Sequence, residues 1–466
     1  MEEYLQTLLL QIRCKKARPF IEEEIRAHIE DQMEENIHSG MSQEEAEREA
    51  VLDMGDPVAV GVSMDRIHRP QIAWKLLVLI SVISVLGIVL HKIICFRLAH
   101  FDGEITSRVD VGSAGYLYGV LVGLAVMVLI YFIDYTVIAQ YARLIALIMI
   151  LLTVISGVIT NRINGMAYYV GVGPLRIASS AFLSLYVPIY GAVLYKYYKT
   201  GYAGFLKSLV WMIVPVYVAF TLPNVMLAAI MFLAMLVQLT VAIWKDWFQI
   251  NKKIVIPGIW LIGILGPIIG FAGMVAMNRL ATYQMARIRA FLSNSGDANY
   301  ITNHLRNFVA SSKLLGNCGK EVIGAIPNYS SDYIFVTLSA NYGMLAGILV
   351  VCILAVMIVM IFQIATRQNN QLGMLMGYGC GMIFALNTVI NVFENLGLLP
   401  VSSTFLPFFS AGRSNLILSY ALVGLMLSIY RYKNVYPRHV QKRNRRWGRS
   451  FCPQNSIFVL ERRYNK

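Results

Sequence analysis

From Ile72 onward the chain is a series of apolar runs, each about as long as a bilayer is deep, and this decides what it can fold into. The hydrocarbon layer is about 30 Å thick and takes roughly 20 apolar helical residues to cross. Ten stretches qualify, near residues 72–95, 112–133, 138–160, 177–198, 206–222, 224–244, 254–277, 333–363, 372–393 and 412–431. Only Pro223-Asn224, a tight turn, separates the fifth from the sixth. Inside lipid, backbone groups must find their partners within the segment, so these runs read as helices. The expected fold class is all-α: a polytopic membrane protein of about ten transmembrane helices behind a small helical cytoplasmic N-terminal domain. Hydrophobic residues make up 57% and charged residues 14%. Ordinary soluble domains carry about 25% charged residues, so a soluble globular protein and a disordered tail are excluded.

The net charge of +14 hides an asymmetry: residues 1–70 carry −8 and residues 71–466 carry +22. Residues 1–70 therefore read as a helical prefix domain, 71–432 as the membrane domain and 433–466 as a basic cytoplasmic tail. In the prefix, Ile21, Ile25, Ile29, Met33 and Ile37 follow i, i+4 spacing, one stripe of a helix. Ser42 and Glu45 have the spacing of a capping box opening the run Gln43–Met54, and Gly55 and Pro57 stop it. The first twenty residues lack an apolar core long enough for a signal peptide. The six cysteines show no CxxC spacing and give no metal or redox centre.

Basic residues orient the bundle. The tail after residue 430 holds 11 Lys and Arg against the single acid Glu461, and Lys196, Lys199, Lys207, Lys245, Lys252 and Lys253 cluster in two loops. Placing both termini in the cytoplasm puts all of these inside, as the positive-inside rule asks. The basic tail then faces anionic headgroups, and no nucleic-acid motif competes with that reading. Residues 278–332 become a long outer loop, expected to be ordered and partly helical.

Few groups in the membrane domain can do acid–base chemistry. Asp134, Asp246 and Glu461 fall inside; Asp102, Glu104 and Asp110 fall in the first outer loop; Asp297, Glu321 and Asp332 in the long one; Glu394 in the last. Asp332 stands where the long loop enters an apolar run, in Ser330-Ser331-Asp332-Tyr333-Ile334-Phe335. Partial desolvation there raises a carboxyl toward the range of a general base. A helix N-cap is the alternative at that position, and the two roles are compatible. His91 and His100 read as interfacial residues. P-loop, GxSxG and HExxH patterns do not occur, which removes the support for ATPase, serine-hydrolase and zincin activities. A transporter would place charges at mid-membrane, whereas Lys92, Asp134 and Arg143 lie near helix ends.

Several stretches resemble known families. EEIRAHIEDQMEEN, the Gly-Met-Ser-x-Glu-Glu-Ala turn, Met-Gly-Asp-Pro and Asp65-Arg66-Ile67-His68 are similar to the permease-prefix type of helical domain. The rest resembles the SEDS family, the FtsW/RodA/SpoVE proteins of bacterial wall synthesis. Three stretches carry this: Tyr283-Gln284-x-x-Arg287-Ile288-x-x-Phe291-Leu292; Pro327-x-x-x-x-Asp332-Tyr333-Ile334-Phe335; and Gly397-Leu398-Leu399-Pro400-Val401 with Leu406-Pro407-Phe408-x-Ser410-x-Gly412-x-Ser414, preceded by Asn391. Asp134-Tyr135, Asn164-Gly165 and Gly173-Pro174-Leu175 fit as well. Departures accompany the match: Ala181, Ser184 and Asn224 stand where the family has charged residues, and Gly412-Arg413-Ser414 replaces Gly-Gly-Ser.

The resemblance implies a peptidoglycan glycosyltransferase that polymerises lipid II, an undecaprenyl-diphosphate-linked precursor, at the outer face of the bacterial cell membrane. Asp332 would be the base. Arg287, Arg289, Lys320 and Arg413 would hold the diphosphate, with Ser410 and Asn391 also at the substrate. A divalent cation, Mg or Mn, bridging Asp332 and diphosphate suits the chemistry, but no second protein ligand is visible. The implied partner is a class B penicillin-binding protein. The departures leave a second reading open: a degenerate member that binds or translocates lipid-linked precursor, or regulates a partner, without catalysis.

Overall fold

Local chemistry sets the first helices. The computed structural model describes residues 1–101, 106–159, 169–170, 177–222, 224–277, 285, 300–319, 322, 325–402 and 404–436. Helices α1 (Glu2–Leu10), α2 (Arg18–His38), α3 (Gln43–Asp53) and α4 (Pro57–His68) form the N-terminal unit. Ile21, Ile25 and Ile29 of the expected stripe are buried, while Ile37 at its end is exposed. The capping box forms, with Glu45 N–H donating to Ser42 Oγ at 3.4 Å and Ser42 N–H to Glu45 Oε2 at 3.3 Å. Pro57 does more than stop α3: it opens α4, and the Asp56 carboxylate accepts from the Val58 and Ala59 N–H groups at 3.3 and 3.0 Å. Proline suits the first helical turn because its missing donor has no partner there anyway.

The membrane bundle comprises α5 (Trp74–Phe101), α6 (Thr106–Phe132), α7 (Tyr135–Gln140), α8 (Ala142–Ile159), α9 (Ser179–Ser184), α10 (Tyr186–Tyr195), α11 (Gly201–Thr221), α12 (Val225–Trp244), α13 (Lys252–Ala276), α14 (Tyr300–Ser311), α15 (Ile334–Tyr342), α16 (Met344–Thr366), α17 (Gln371–Asn395) and α18 (Arg413–Arg431). A two-residue antiparallel pair, β1 (Tyr169–Val170) and β2 (Ile177–Ala178), precedes α9. Eight helices among the described residues are long and apolar enough to cross a membrane. The protein is thus a polytopic helical membrane protein, and three of the ten expected runs differ in detail. The runs 138–160 and 177–198 supply only shorter apolar helices, Ala142–Val158 and Ser179–Tyr195. The run 333–363 is broken at Gly343, whose φ of +103° is left-handed and whose added Cβ would lie 2.5 Å from the Leu314 carbonyl. Only glycine fits that crossing, so α15 is a separate short helix below the loop.

Helices α12, α17 and α18 are innermost and α13 is outermost. The most extensive pairing is α18 against α6. Gly119 and Gly123 of α6 receive Leu416 and Tyr420, and a Cβ on Gly123 would lie 2.2 Å from the Tyr420 ring. From the other side, Gly424 of α18 meets the Met127 carbonyl, 2.7 Å from an added Cβ. Small residues let helix backbones approach where lipid provides no hydrophobic drive. Gln238 of α12 adds polar glue, donating Nε2–H to the Leu375 carbonyl of α17 at 2.9 Å.

Both ends of the bundle's chain lie side by side. Gln71 N–H donates to the Arg431 carbonyl at 3.0 Å, and His68 Nδ1 lies 2.6 Å from the Asn434 carbonyl. Between them sits the contact that fastens the N-terminal unit. Lys16 Nζ lies 2.7 Å from Asp134 Oδ2, at the turn between α6 and α7, and over the Tyr432 ring. Asp134 also accepts from Thr136 N–H and Oγ1, each at 2.9 Å, and from the Tyr436 hydroxyl. Burial alone would raise the Asp134 carboxyl, but the bonds from Lys16, Tyr436 and Thr136 outweigh it and hold the group below its ordinary value. Lys16 is likewise desolvated, yet Asp134 keeps its ammonium above the ordinary range.

A depressed acid stabilises the fold above its unfolded value and loses that contribution as pH falls through the folded one. A raised lysine loses its contribution only as pH climbs past its folded value. Lys16→Met is therefore expected to cost about 1–2 kcal/mol, less than a fully buried pair because solvent screens the exposed half of Lys16. The loss should read as a lower thermal midpoint at neutral pH and faster proteolytic release of residues 1–70. Wild type and variant should converge as the pH is lowered past Asp134.

Candidate active site

Asp332 lies in a turn that its own neighbours build. Asn328 takes φ +56°, a left-handed conformation that Asn tolerates better than most residues. Its carbonyl accepts from the Ser331 and Tyr333 N–H groups at 3.0 and 3.3 Å. Its Nδ2 donates to Asp332 Oδ2 at 3.2 Å, and Ser331 Oγ donates to Oδ1 at 3.1 Å. Among the described residues no cation pairs with the half-buried carboxylate. Burial raises its proton affinity, and the bonds from Ser331 and Asn328 only partly oppose this. The capping alternative falls away. Helix α15 starts at Ile334 behind Tyr333, which makes no side-chain cap. One of its first free N–H groups, that of Val336, is met instead by Asn395 Oδ1 at 3.2 Å.

The turn is pinned by its backbone. Asn391 and Asn395, one helical turn apart at the end of α17, both donate Nδ2–H to the Asp332 carbonyl, at 2.9 and 3.0 Å. Asn391 also reaches the Thr404 carbonyl at 3.2 Å. Ser410 Oγ donates to the Ser331 carbonyl at 2.7 Å while accepting from Leu406 N–H at 2.8 Å. Ala411 N–H donates to the Ser330 carbonyl at 3.0 Å. Asn391 and Ser410 thus converge on Asp332, with a correction to their expected role. They are 0% and 2% exposed, and their polar atoms are spent on backbone, so they brace the turn rather than face a substrate. Arg413 is exposed at the first residue of α18, three residues after Ser410. Arg287, Arg289 and Lys320 lie outside the described residues.

Three bracing residues escaped the sequence reading. Glu394, expected in a loop, sits in the last turn of α17, 1% exposed. It accepts from Thr404 Oγ1 at 2.5 Å and from Ser402 Oγ, fastening the strand-like stretch before Ser410. Asn395 is the second. Arg306 of α14 is the third: Nε and Nη2 both donate to the Gly397 carbonyl, at 3.0 and 2.8 Å, tying the long loop to the Gly-Leu-Leu-Pro turn. The spacing 391, 394, 395 puts three polar side chains on one face of the last turn of a largely apolar helix, a signal present in the sequence.

The donor set does not by itself make a metal site. Both oxygens of Asp332 and both of Glu394 already accept hydrogen bonds. Among the described residues no three His, Cys, Asp or Glu side chains come together. A shallow recess of about 720 Å³ lined by Trp244, Ile250 and Pro257 lies at the other end of the bundle and shares nothing with Asp332.

A helical bundle that spans a membrane and holds a half-buried carboxylate, without a cation partner among the described residues, in a braced turn at its end defines a class: integral membrane proteins equipped for acid–base chemistry at the bilayer surface. The chain belongs to the FtsW/RodA/SpoVE family, whose model, described as "Cell cycle protein", matches residues 72–435. It is 25% identical over 310 residues to the "Probable peptidoglycan glycosyltransferase FtsW" of Aliivibrio salmonicida, covering 64% of this chain and 74% of that one. It is 25% identical over 324 residues to the "Stage V sporulation protein E" of Bacillus subtilis, covering 67% and 84%. Among solved structures, a chain of a peptidoglycan synthase complex that coordinates polymerization and crosslinking superposes with a TM-score of 0.62 at 19% identity, covering 77% of this chain and 98% of that one. The rod shape determining protein RodA of Thermus thermophilus superposes with a TM-score of 0.55 at 17% identity, covering 78% and 97%. These likenesses establish the shared fold.

A carboxyl whose folded affinity for protons is raised costs stability once ionised. The cost is absent below the unfolded value near 3.8 and complete above the raised folded value. Asp332→Asn removes the cost while leaving an oxygen for Ser331. The variant should melt no lower than wild type at neutral pH, and any advantage should vanish as the pH drops below the ordinary carboxylate range. A clear loss of thermal midpoint would show that the charge is structural.

Proposed function

We propose that this protein is a peptidoglycan glycosyltransferase that polymerises lipid II at the outer face of the bacterial cell membrane, with Asp332 as general base. The observation that carries the reading is the Asp332 turn itself. A carboxylate of raised proton affinity, with no cation against it among the described residues, sits in a turn whose peptide groups are bonded by Asn391, Asn395, Ser410 and Ala411, at the end of the bundle away from the N-terminal unit.

In the proposed reaction Asp332 takes the proton of an acceptor sugar hydroxyl as that oxygen attacks the anomeric carbon of the donor. The carbon–oxygen bond to the diphosphate breaks, and the lipid diphosphate leaves with the bonding pair. General-base assistance of this kind is worth typically about 10²–10⁴-fold. Arg413, together with Arg287, Arg289 and Lys320, would stabilise the leaving diphosphate by charge-assisted bonds. A divalent cation, were Asp332 to hold one, would supply charge stabilisation to the leaving diphosphate, and no step here depends on it. A class B penicillin-binding protein is the expected partner, supported by the fold shared with a chain of a peptidoglycan synthase complex. The end where residue 71 meets residue 431 would face the cytoplasm, which agrees with the basic tail.

The family departures support a second, non-catalytic reading. Asn224 serves as the N-cap of α12, Ser184 bonds within its own helix and Ala181 is buried, so these positions are absorbed into structure. One experiment separates the two: lipid II polymerisation by the purified protein with its cognate penicillin-binding protein, for wild type and Asp332→Ala. The expected outcome is glycan from wild type and a loss of at least about 100-fold in the variant. Wild-type turnover should rise with pH as the base ionises. Lipid II binding without glycan from either protein would select the non-catalytic reading. Equal glycan from both would remove Asp332 from the chemistry.

A further inference from the structure

The segment Leu406–Ser410 runs through the interior, and its peptide carbonyls are met by the first two membrane helices. His91 of α5 lies with Nε2 2.8 Å from the Phe409 carbonyl. A carbonyl can only accept, so Nε2 carries the proton. Tyr116 of α6 donates its hydroxyl to the preceding carbonyl, that of Phe408, at 2.5 Å. The two rings stack at 3.9 Å with 29° between their planes, and the residues are 4% and 2% exposed. His91 is therefore not the interfacial residue its position suggested. Gly87, one turn before His91, makes the arrangement fit: a Cβ there would stand 2.1 Å from the Tyr116 hydroxyl.

The gripped residue is strained. Phe408 has φ +64°, a left-handed conformation that is a genuine outlier for a bulky residue. Such strain persists only where the surroundings over-determine it. Here Phe384 and Tyr420 hold the ring, at 5.9 and 5.1 Å between centroids, and Tyr116 and His91 hold the two peptide groups that follow the twist. Two residues after Phe408 stands Ser410, whose hydroxyl fixes the Ser331 carbonyl next to Asp332.

We propose that His91 and Tyr116, admitted by Gly87, are positioning residues of the glycosyltransferase site, gripping consecutive carbonyls of a strained Phe408-Phe409 so that Ser410 presents Asp332. This rests on the proposed glycosyltransferase reading. Neither residue touches substrate; both act through the backbone of the 406–410 segment.

The test uses the full chain, purified in lipid nanodiscs. Tyr116→Phe removes one hydroxyl and keeps the stack. His91→Leu removes the donor, and His91→Gln restores an N–H. Gly87→Ala keeps both donors but displaces the tyrosine. Ser81→Ala, an exposed hydroxyl bonded within α5, is the control. Tyr116→Phe, His91→Leu and Gly87→Ala should each lower kcat for lipid II by about 10- to 100-fold, the size expected for a small misplacement of a catalytic group. KM should stay near wild type, His91→Gln should recover part of the loss, and amide exchange should quicken across 404–411 alone. Unchanged kcat overturns the grip. So does a loss that merely tracks faster exchange over the whole bundle. Should wild type make no glycan, the glycosyltransferase reading fails, and exchange decides the grip separately: faster exchange confined to 404–411 supports it and unaltered exchange there sinks it.

Discussion

Non-helical backbone buried among membrane helices has no water to satisfy it, and most of this structure's particular features answer that one constraint. Between α17 and α18 the chain leaves helical geometry and folds back into the protein. Each exposed peptide group there would cost several kcal/mol if left bare. The partners come from side chains on separate elements. Asn391 meets the Thr404 carbonyl, Tyr116 that of Phe408 and His91 that of Phe409, while Ser410 serves Leu406 N–H and the Ser331 carbonyl. Arg306 closes the set at Gly397. Having been bonded from so many directions, the segment is rigid enough to act as a base plate for the Asp332 turn.

The same demand explains why polar residues appear where hydropathy alone forbids them. A lone Asn or Glu in an apolar helix is expensive, and the expense is justified only by a partner that would otherwise be bare. Glu394 illustrates this. Its two oxygens gather Ser402 and Thr404, and Thr404 in turn touches Asn391, so one carboxylate orders two hydroxyls of the stretch leading to Ser410. Asp332 is the reverse case. Its carbonyl is met by two donors, and among the described residues its carboxylate receives two neutral ones, from Asn328 and Ser331. The fold that supplies Asn391, Asn395 and Ser410 to this turn spends them on its backbone and leaves the carboxylate to the turn's own residues.

How much of this was legible in the sequence depends on the range of the interaction. Apolar periodicity and turn chemistry are local, and they located the helices, the Ser42–Glu45 capping box and the separation of α11 from α12. They failed where a distant segment decides the outcome. Gly343 looks like an ordinary glycine inside an apolar run, yet the Leu314 carbonyl pressing on it splits the helix. His91 looks interfacial by its place in α5 and is buried because Phe409, far along the chain, needs a donor. Asp332 was legible as a partly desolvated carboxyl. Asn391 and Ser410 were legible only as belonging with it, because which atoms they bond is set by the fold of the 401–411 segment, which no short-range pattern encodes.

Helices α6 and α18 connect the two ends of the molecule. An α-helix rises 1.5 Å per residue, so α18 is about 28 Å long, close to the depth of the hydrocarbon layer. At one end it continues from Ser410, and at the other Arg431 and Tyr432 meet Gln71 and Lys16. Helix α6 runs beside it, carrying Tyr116 toward the Phe408 carbonyl and ending two residues before Asp134 and the Lys16 pair. Glycines at 119, 123 and 424 bring the two backbones together with little side-chain padding between them. Close-packed interiors transmit displacement because they do not compress. The N-terminal unit therefore fastens to the same two rods that hold the Ser410 segment, and its attachment at Lys16 and the bracing of Asp332 are two ends of one packed assembly.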